Sequence, residues 1–354
     1  MAAIIILSIL GVLLLAAGRY LYKCTRYWQR DYRQTVNSGY AIRQATLPDG
    51  SIINYAEGPA GGDALLLIHG QTGAWQDYCR VLPQLGKDWH VFAVDCYGHG
   101  GSSHNKAKYY LRENGDDLIW FVNNVVQKTT VVSGHSSGGL LAAYVAAYGG
   151  EHIAGAVLED PPIFATEEGS FDKTFAYQDT YKPMHDYIAN KESECWEAYY
   201  LRHCLWGRLY MASSMAGLSK TAQRYHEKHP SKPVQLFFMP ESINFMFLYT
   251  PRYDLAFGDH FYDYSWHSGI SHEIMAGDIR VPVVFLHIKE QYTDDGILMA
   301  AASDAQAEKA AKQIVNCRLQ HLTGNHDIHR FKPGDFLAAF QDFRERTGPY
   351  DGSR

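Results

Sequence analysis

The chain has 354 residues, 46% of them hydrophobic and 20% charged, which is enough apolar material for one large domain with an elaboration, or for two domains. Its formal net charge of −6, with Lys and Arg scattered beyond residue 35, leaves no basic field of the kind that nucleic-acid binding uses, so nucleic acid is set aside as a partner. The six cysteines (Cys24, Cys79, Cys96, Cys195, Cys204 and Cys317) form no CxxC pair, which argues for free thiols over a zinc ribbon or a dense disulfide scaffold. Cys195 and Cys204 are close enough in sequence to pair in an oxidising compartment.

The first element is apolar. From Ala2 to Gly18, "AAIIILSILGVLLLAAG" carries no charge, and as a helix it spans roughly 26 Å, slightly short of a hydrocarbon core of about 30 Å. Tyr20, Leu21 and Tyr22 extend it, while Arg19 and Lys23 can snorkel to the headgroups. A signal peptide is the rival reading, favoured by Ala16, Ala17 and Gly18 but lacking a basic leading region. Arg19, Lys23, Arg26, Arg30 and Arg33 follow the apolar run, with only Asp31 against them. The positive-inside rule therefore expects a single-pass anchor with the body on the cytoplasmic side.

After a polar juxtamembrane stretch to about Ser38, short β runs alternate with amphipathic segments. "SIINYAEG" and "DALLLIHG" read as strands, "WQDYCRVLPQLGKD" as a helix, "HVFAVDCYG" as a strand and "DDLIWFVNNVVQ" as a helix. Then come the strand "TTVVSGH", the small-residue helix "SGGLLAAYVAAYG" and the strand "IAGAVLED". This order implies a mostly parallel central sheet with helices on both faces, an α/β fold. From Pro161 to about Arg280 the alternation stops, and the sequence turns to Tyr, Phe, Met and His in helix and loop. It resumes with the strand "VPVVFLHI", the helix "DAQAEKAAKQI", the strand "VNCRLQHL" and the closing helix "PGDFLAAFQDFRER". The expected organisation is an N-terminal anchor and juxtamembrane segment (1–34), a first core part (35–162), a mainly helical cap over the carboxyl edge of the strands (163–279) and a second core part (280–354).

Gly134, His135, Ser136, Ser137 and Gly138 form G-x-S-x-G between a strand and a helix, the context that makes this pentapeptide informative. Its small residues permit a sharp turn that lifts the Ser136 hydroxyl clear of the sheet edge as a nucleophile. The backbone N–H of Ser137, at the amino end of the next helix, can then stabilise a developing oxyanion. A serine alcohol needs a base, and His326 follows a strand and loop near the carboxyl end, with His329 and His321 as competitors.

With "LLLIHGQTGAW", "VDCYGHGGSS", "GHSSGG" and "GNHDIHRFKPGDF" in this order, the chain resembles the α/β-hydrolase family over roughly residues 40 to 346. The resemblance implies the α/β-hydrolase fold, Gln71 as the second backbone donor beside Ser137, and His326 as the base. It puts the acid in the loop after "VPVVFLHI", where Asp295, preceding Gly296 as in the Asp-Gly-x-Leu pattern of some capped members, is favoured over Asp294. Asp160 in "LEDPP" and Glu290 are the alternatives. No cofactor is implied.

His260, Asp263, His267, His272 and Glu273 could ligate a metal, but their spacing matches no known site, and none is assigned. His69, His99 and His135 are expected to brace their loops. A serine at the elbow favours acyl transfer over the epoxide and halide chemistry that uses aspartate there. The expected function is a membrane-anchored carboxylic ester hydrolase of esterase or lipase type, taking a small, apolar ester. A C–C bond hydrolase, a lactonase, a cofactor-free haloperoxidase or a non-catalytic binding protein of the same fold are the alternatives.

Overall fold

The computed structural model describes residues 1–348, apart from the side chains of Ala2 and Ala3; residues 349–354, the end of the expected second core part, lie outside the described residues. Its sheet contains β1 (Ala41–Thr46), β2 (Ile52–Glu57), β3 (Asp63–Ile68), β4 (Trp89–Val94), β5 (Thr130–His135), β6 (Ile153–Glu159), β7 (Val283–Ile288) and β8 (Cys317–Leu322). The spatial order is β1-β2-β4-β3-β5-β6-β7-β8, with β1 and β2 antiparallel to their neighbours and all other pairs parallel.

The central strands are apolar on both faces because both faces are covered. Alternation sends Leu66, Ile68, Val132, Leu158 and Phe285 into one hydrophobic layer, and Leu65, Leu67, Val131, Val157, Val284 and Leu286 into the other. Between β5 and β6 runs a helix, Ser137–Tyr148, whose residues from Ser137 to Ala146 are all buried. Glycine and alanine let its backbone lie close to the sheet. An added Cβ on Gly138 would meet the His69 carbonyl oxygen at 2.3 Å.

One local expectation is corrected and one element was not anticipated. "WQDYCRVLPQLGKD" is a 3₁₀ turn at Trp75–Arg80 followed by the short helix Leu82–Leu85, because Pro83 has no N–H to continue a longer one. The edge strand β1 gave no periodic signal, since five of its six residues are exposed.

The segment between β6 and β7 is mainly helical, including Lys182–Asn190, Trp196–His203, Met215–Lys228, Leu255–Tyr262 and His272–Asp278. Its aromatic residues largely pack on one another: Phe261 stacks on Trp266 with ring centroids 4.5 Å apart, and Phe257 meets the same indole edge-on at 4.9 Å. It reaches the sheet edge through Tyr253, whose hydroxyl accepts a hydrogen bond from Gln71 Nε2 at 2.6 Å.

The N-terminal helix, α1, runs unbroken from Ala2 to Asn37, so the stretch expected to be juxtamembrane continues the apolar one. Ile4–Asn37 has the length and apolar composition to cross a membrane. Apart from Gly11 its residues from Ile4 to Tyr20 are exposed, whereas Cys24 and Thr35 are buried against the body. Thr35 Oγ1 donates to the Cys79 carbonyl at 3.0 Å, Arg80 Nε donates to Asp31 Oδ2 at 3.1 Å, and Tyr32 lies against Trp75 with centroids 6.0 Å apart. Residues beyond about 20 are therefore part of the packed body.

Deleting residues 1–34 should lower the thermal midpoint by about 5 °C or more, because it uncovers the Trp75 and Cys79 face and removes the Asp31 partner of Arg80. Deleting residues 1–19 should leave the midpoint unchanged. Equal midpoints for the two truncations, measured by calorimetry, would show that the docked half of α1 adds no stability.

Candidate active site

Ser136 sits at the junction of β5 and the helix Ser137–Tyr148 with φ 55° and ψ −120°, a backbone conformation that costs a non-glycine residue on the order of 1–3 kcal/mol. The turn is held by the Ser136 N–H, which donates to the Glu159 carbonyl at 2.9 Å. It is also possible only between glycines: a Cβ on Gly134 would lie 2.0 Å from the Gly138 carbonyl oxygen. Ser137 opens the helix, where the first N–H groups have no intrahelical acceptor. The loop after β3 comes up beside it, since a Cβ on Gly70 would lie 3.1 Å from Ser136 Cβ. That loop carries Gln71, whose side chain is tied to Tyr253.

His326 Nδ1 lies 2.6 Å from Asp160 Oδ2, and because a carboxylate only accepts, the imidazole proton is on Nδ1 and Nε2 is left free to act as a base. Asp160, fully buried at the end of β6 with φ 45°, also receives the Ile288 N–H on Oδ1 at 3.0 Å. The pairing thus falls to Asp160 and not to the expected Asp295. Asp295 and Asp294 are exposed in the loop after β7, and among the described residues Asp160 is the carboxylate that His326 meets. Glu290 accepts the Asp304 N–H instead. The reason lies in the sheet: the carboxyl ends of β6 and β7 are neighbours, and the positive φ at Asp160 swings its side chain to the histidine loop.

Burial opposes charge on both partners, and their mutual contact overcomes it. Asp160 is held down at about 2, against burial, by the nearby imidazoles of His287 and His326 and by the Ile288 N–H. For His326 burial again works against the charged form, but Asp160 raises the imidazole to about 8.

The competing histidine has its own partner. His329 donates from its backbone N–H to Glu159 Oε1 at 2.7 Å and its Nδ1 lies 2.8 Å from the same oxygen, both side chains being buried. So the consecutive acids Glu159 and Asp160 hold His329 and His326. His135 meets both rings, tilted against His326 at 4.4 Å and edge-on to His329 at 5.2 Å, and burial together with the His326 charge pushes it down to about 4. His69 takes the Cys96 N–H on Nε2 at 2.9 Å and faces the Gly70 carbonyl with Nδ1 at 2.7 Å. His99 similarly spans the Tyr97 carbonyl and the Thr72 N–H, so both bind loop backbone.

A cavity of about 190 Å³ adjoins this cluster, lined by Gly70, Gln71, His135, Trp196, Tyr200 and Phe247 among others. Buried Asp77 lines it too, and desolvation lifts that carboxyl to about 7 against the pull of His329 and Arg330. Asp77, Glu159 and His287 carry no sequence motif and were not anticipated. Of the inserted residues considered as metal ligands, His260 Nδ1 lies 2.6 Å from Ser265 Oγ, and His272 Nδ1 accepts the Phe164 N–H at 3.0 Å. All six cysteines are free thiols, Cys195 and Cys204 included.

The family model described as the alpha/beta hydrolase fold matches residues 63–184, which contain β3, β5, β6 and the Ser136 turn. The chain has the α/β-hydrolase fold. Among solved structures, this α/β-hydrolase chain is similar to a membrane phospholipase A described as a bacterial virulence factor, with a TM-score of 0.62 and 17% identity over 97% of this chain and 98% of that one. It is also similar to an esterase of Rhodococcus sp., with a TM-score of 0.57 and 22% identity over 87% of this chain and 99% of the esterase. In sequence it is 28% identical over 134 residues to a serine hydrolase-like protein of Homo sapiens, an alignment spanning 37% of this chain and only 66% of the relative.

The His326–Asp160 contact makes a prediction that needs no substrate. In Asp160→Asn the His326 titration midpoint, followed by NMR, should fall from about 8 to below 7, because the raising partner is lost while burial remains. Asp295→Asn should leave it in place. A midpoint insensitive to Asp160→Asn would mean that another group charges the ring.

Proposed function

We propose that this chain is a membrane-anchored serine hydrolase that cleaves carboxylic esters through an acyl-enzyme on Ser136. The observation that carries the reading is the 2.6 Å pairing of His326 with Asp160, the His326 ring lying 4.4 Å from that of His135, which directly precedes a serine held at φ 55°. In this reading His326 Nε2 takes the Ser136 proton as the hydroxyl attacks the ester carbonyl, and Asp160 keeps the ring in the Nδ1–H tautomer and balances its charge. The backbone N–H groups of Gln71 and Ser137 receive the oxyanion. His326 then returns the proton to the departing alcohol, and water, deprotonated by the same nitrogen, releases the acid.

An apolar ester drawn from the bilayer is the favoured substrate. Support comes from a second cavity of about 430 Å³ between α1 and the body, lined by Trp28, Tyr32 and Tyr249 with Arg80 and Arg330. Asp77 and Tyr249 belong to the walls of both cavities, so the space beside α1 and the space beside Gln71 share a boundary. The single apolar helix, followed by Arg19, Lys23, Arg26, Arg30 and Arg33, supports a single-pass anchor with the catalytic body on the cytoplasmic side.

A fluorophosphonate probe should label Ser136, and Ser136→Ala should abolish labelling; persistence of the label, or its transfer to Ser137, would refute the assignment. Asp160→Asn should lower kcat/KM on the order of 10³–10⁴-fold, with Asp295→Asn near wild type. For a soluble ester kcat/KM should climb with pH and level off above about 8, since only the unprotonated His326 can act as base. Removing residues 1–19 should spare that ester while slowing turnover of a vesicle-embedded one.

A further inference from the structure

Behind Asp160, on the side away from His326, stands a group of side chains that ester cleavage does not use. His287 and His321 are register partners on the parallel strands β7 and β8, so the pleat projects both rings from one face, with centroids 5.4 Å apart. Asp304 is the first residue of the helix Asp304–Gln313, whose start is fixed by a reciprocal cap between Ser303 and Gln306. Asp304 Oδ1 lies 2.8 Å from His287 Nε2 and 4.0 Å from His321 Nδ1. Donor atoms of the three residues all lie within 4.8 Å of one another.

We propose that His287, His321 and Asp304 form a binding site for a divalent transition-metal ion of the zinc class. Two imidazoles and one carboxylate are a donor set suited to such an ion, leaving coordination positions open to water. Bonds of about 2.0–2.2 Å require the donors to stand roughly 3.4 Å apart. The His287–Asp304 pair must therefore open by about half an ångström and the widest pair must close. Asp304 and His321 have the freedom for this, with side chains 35% and 30% exposed, while His287 is fully buried and supplies the fixed ligand. Glu290, whose carboxylate accepts the Asp304 N–H at 2.9 Å, holds Asp304 from the far side.

A second, independent observation points the same way. His287 Nδ1 is buried without a well-formed hydrogen bond, although Asp160 Oδ1 lies 3.3 Å from it. Metal-bound histidines characteristically donate their other ring N–H to a carboxylate, which fixes the tautomer and strengthens the ligand. With an ion on Nε2, the one remaining ring proton of His287 must sit on Nδ1, facing Asp160. The ion would thus order the back of the same carboxylate whose front holds His326, which makes His287 a positioning residue. The inference concerns binding alone and does not depend on Ser136 being a nucleophile.

The test uses the full chain in detergent, stripped with a chelator and dialysed against Zn2+ or Co2+. One equivalent should bind, Co2+ should develop the visible absorption of a low-coordinate site, and Zn2+ should raise the thermal midpoint. His321→Ala, at a partly exposed position, should weaken binding at least tenfold and remove the Zn2+-dependent rise in midpoint. Asp304→Asn, which keeps the size of the side chain, should also weaken it. His226→Ala, in a separate cluster with Cys195 and Glu197, should change nothing. Absence of binding, binding indifferent to His321→Ala and Asp304→Asn, or binding lost only in His226→Ala would overturn the proposal.

Discussion

The hydrogen bond from the Ser136 N–H to the Glu159 carbonyl, 2.9 Å long, ties the end of β5 to the end of β6 where both strands leave the sheet through positive φ. Asp160 is fixed in the same manner one strand over, its own N–H donating to the Leu286 carbonyl at 2.8 Å. Two strained residues are thus each restrained by the neighbouring parallel strand. If the strands slipped in register, the serine and the carboxylate would lose their backbone supports together. That is why the Ser136 turn and the carboxylate partner of His326 are best regarded as one unit built from the sheet, with the loops merely delivering His326 and Gln71 to it.

The same edge buries an unusual amount of charge. Glu159, Asp160, His287 and His329 are all within 1% of complete burial, and each stands against an opposite partner. Unpaired, any one would cost several kcal/mol; paired, they gain little over apolar packing, but they define geometry sharply because each proton has one place to go. Acids and imidazoles alternate in a row, from Asp304 through His287 and Asp160 to His326, and Asp160 fixes the Nδ1–H tautomer of His326 at its end. The price in stability is met by the surrounding apolar layers.

Much of the fold was legible because its carriers are local. Runs such as "LLLIHG" and "AGAVLE" can only be two-sided strands, and the glycines around Ser136 announce a turn that other residues cannot make. The carboxylate that pairs with His326 was not legible because the choice among Asp160, Asp294 and Asp295 depends on which one lies across from the histidine loop, a relation between β6, β7 and a loop more than 160 residues downstream of Asp160. Glu159–His329 was invisible for the same reason. The docking of α1 escaped notice since its buried face is spelled by Cys24, Trp28, Tyr32 and Thr35, a stripe interleaved with arginines that looks like a solvated stalk. Edge strand β1 and the Pro83 break show the opposite case, in which the residues were informative and periodicity alone was too coarse.

The unbroken run of α1 has a mechanical corollary. At 1.5 Å per residue its 36 residues reach about 54 Å, nearly twice the thickness of a hydrocarbon core. With the distal half clamped to the body by Thr35, Asp31 and Tyr32, a membrane-seated α1 is a stiff mast rather than a leash. If α1 crosses a membrane, the body would not tumble independently of the bilayer normal: tilt of the membrane half would become tilt of the whole molecule, and the height of the Ser136 turn above the lipid would be set by helix geometry. Adding or removing four residues between the two halves would raise or lower that height by about 6 Å and rotate the body by about 40°, as a gauge block sets a tool above its workpiece.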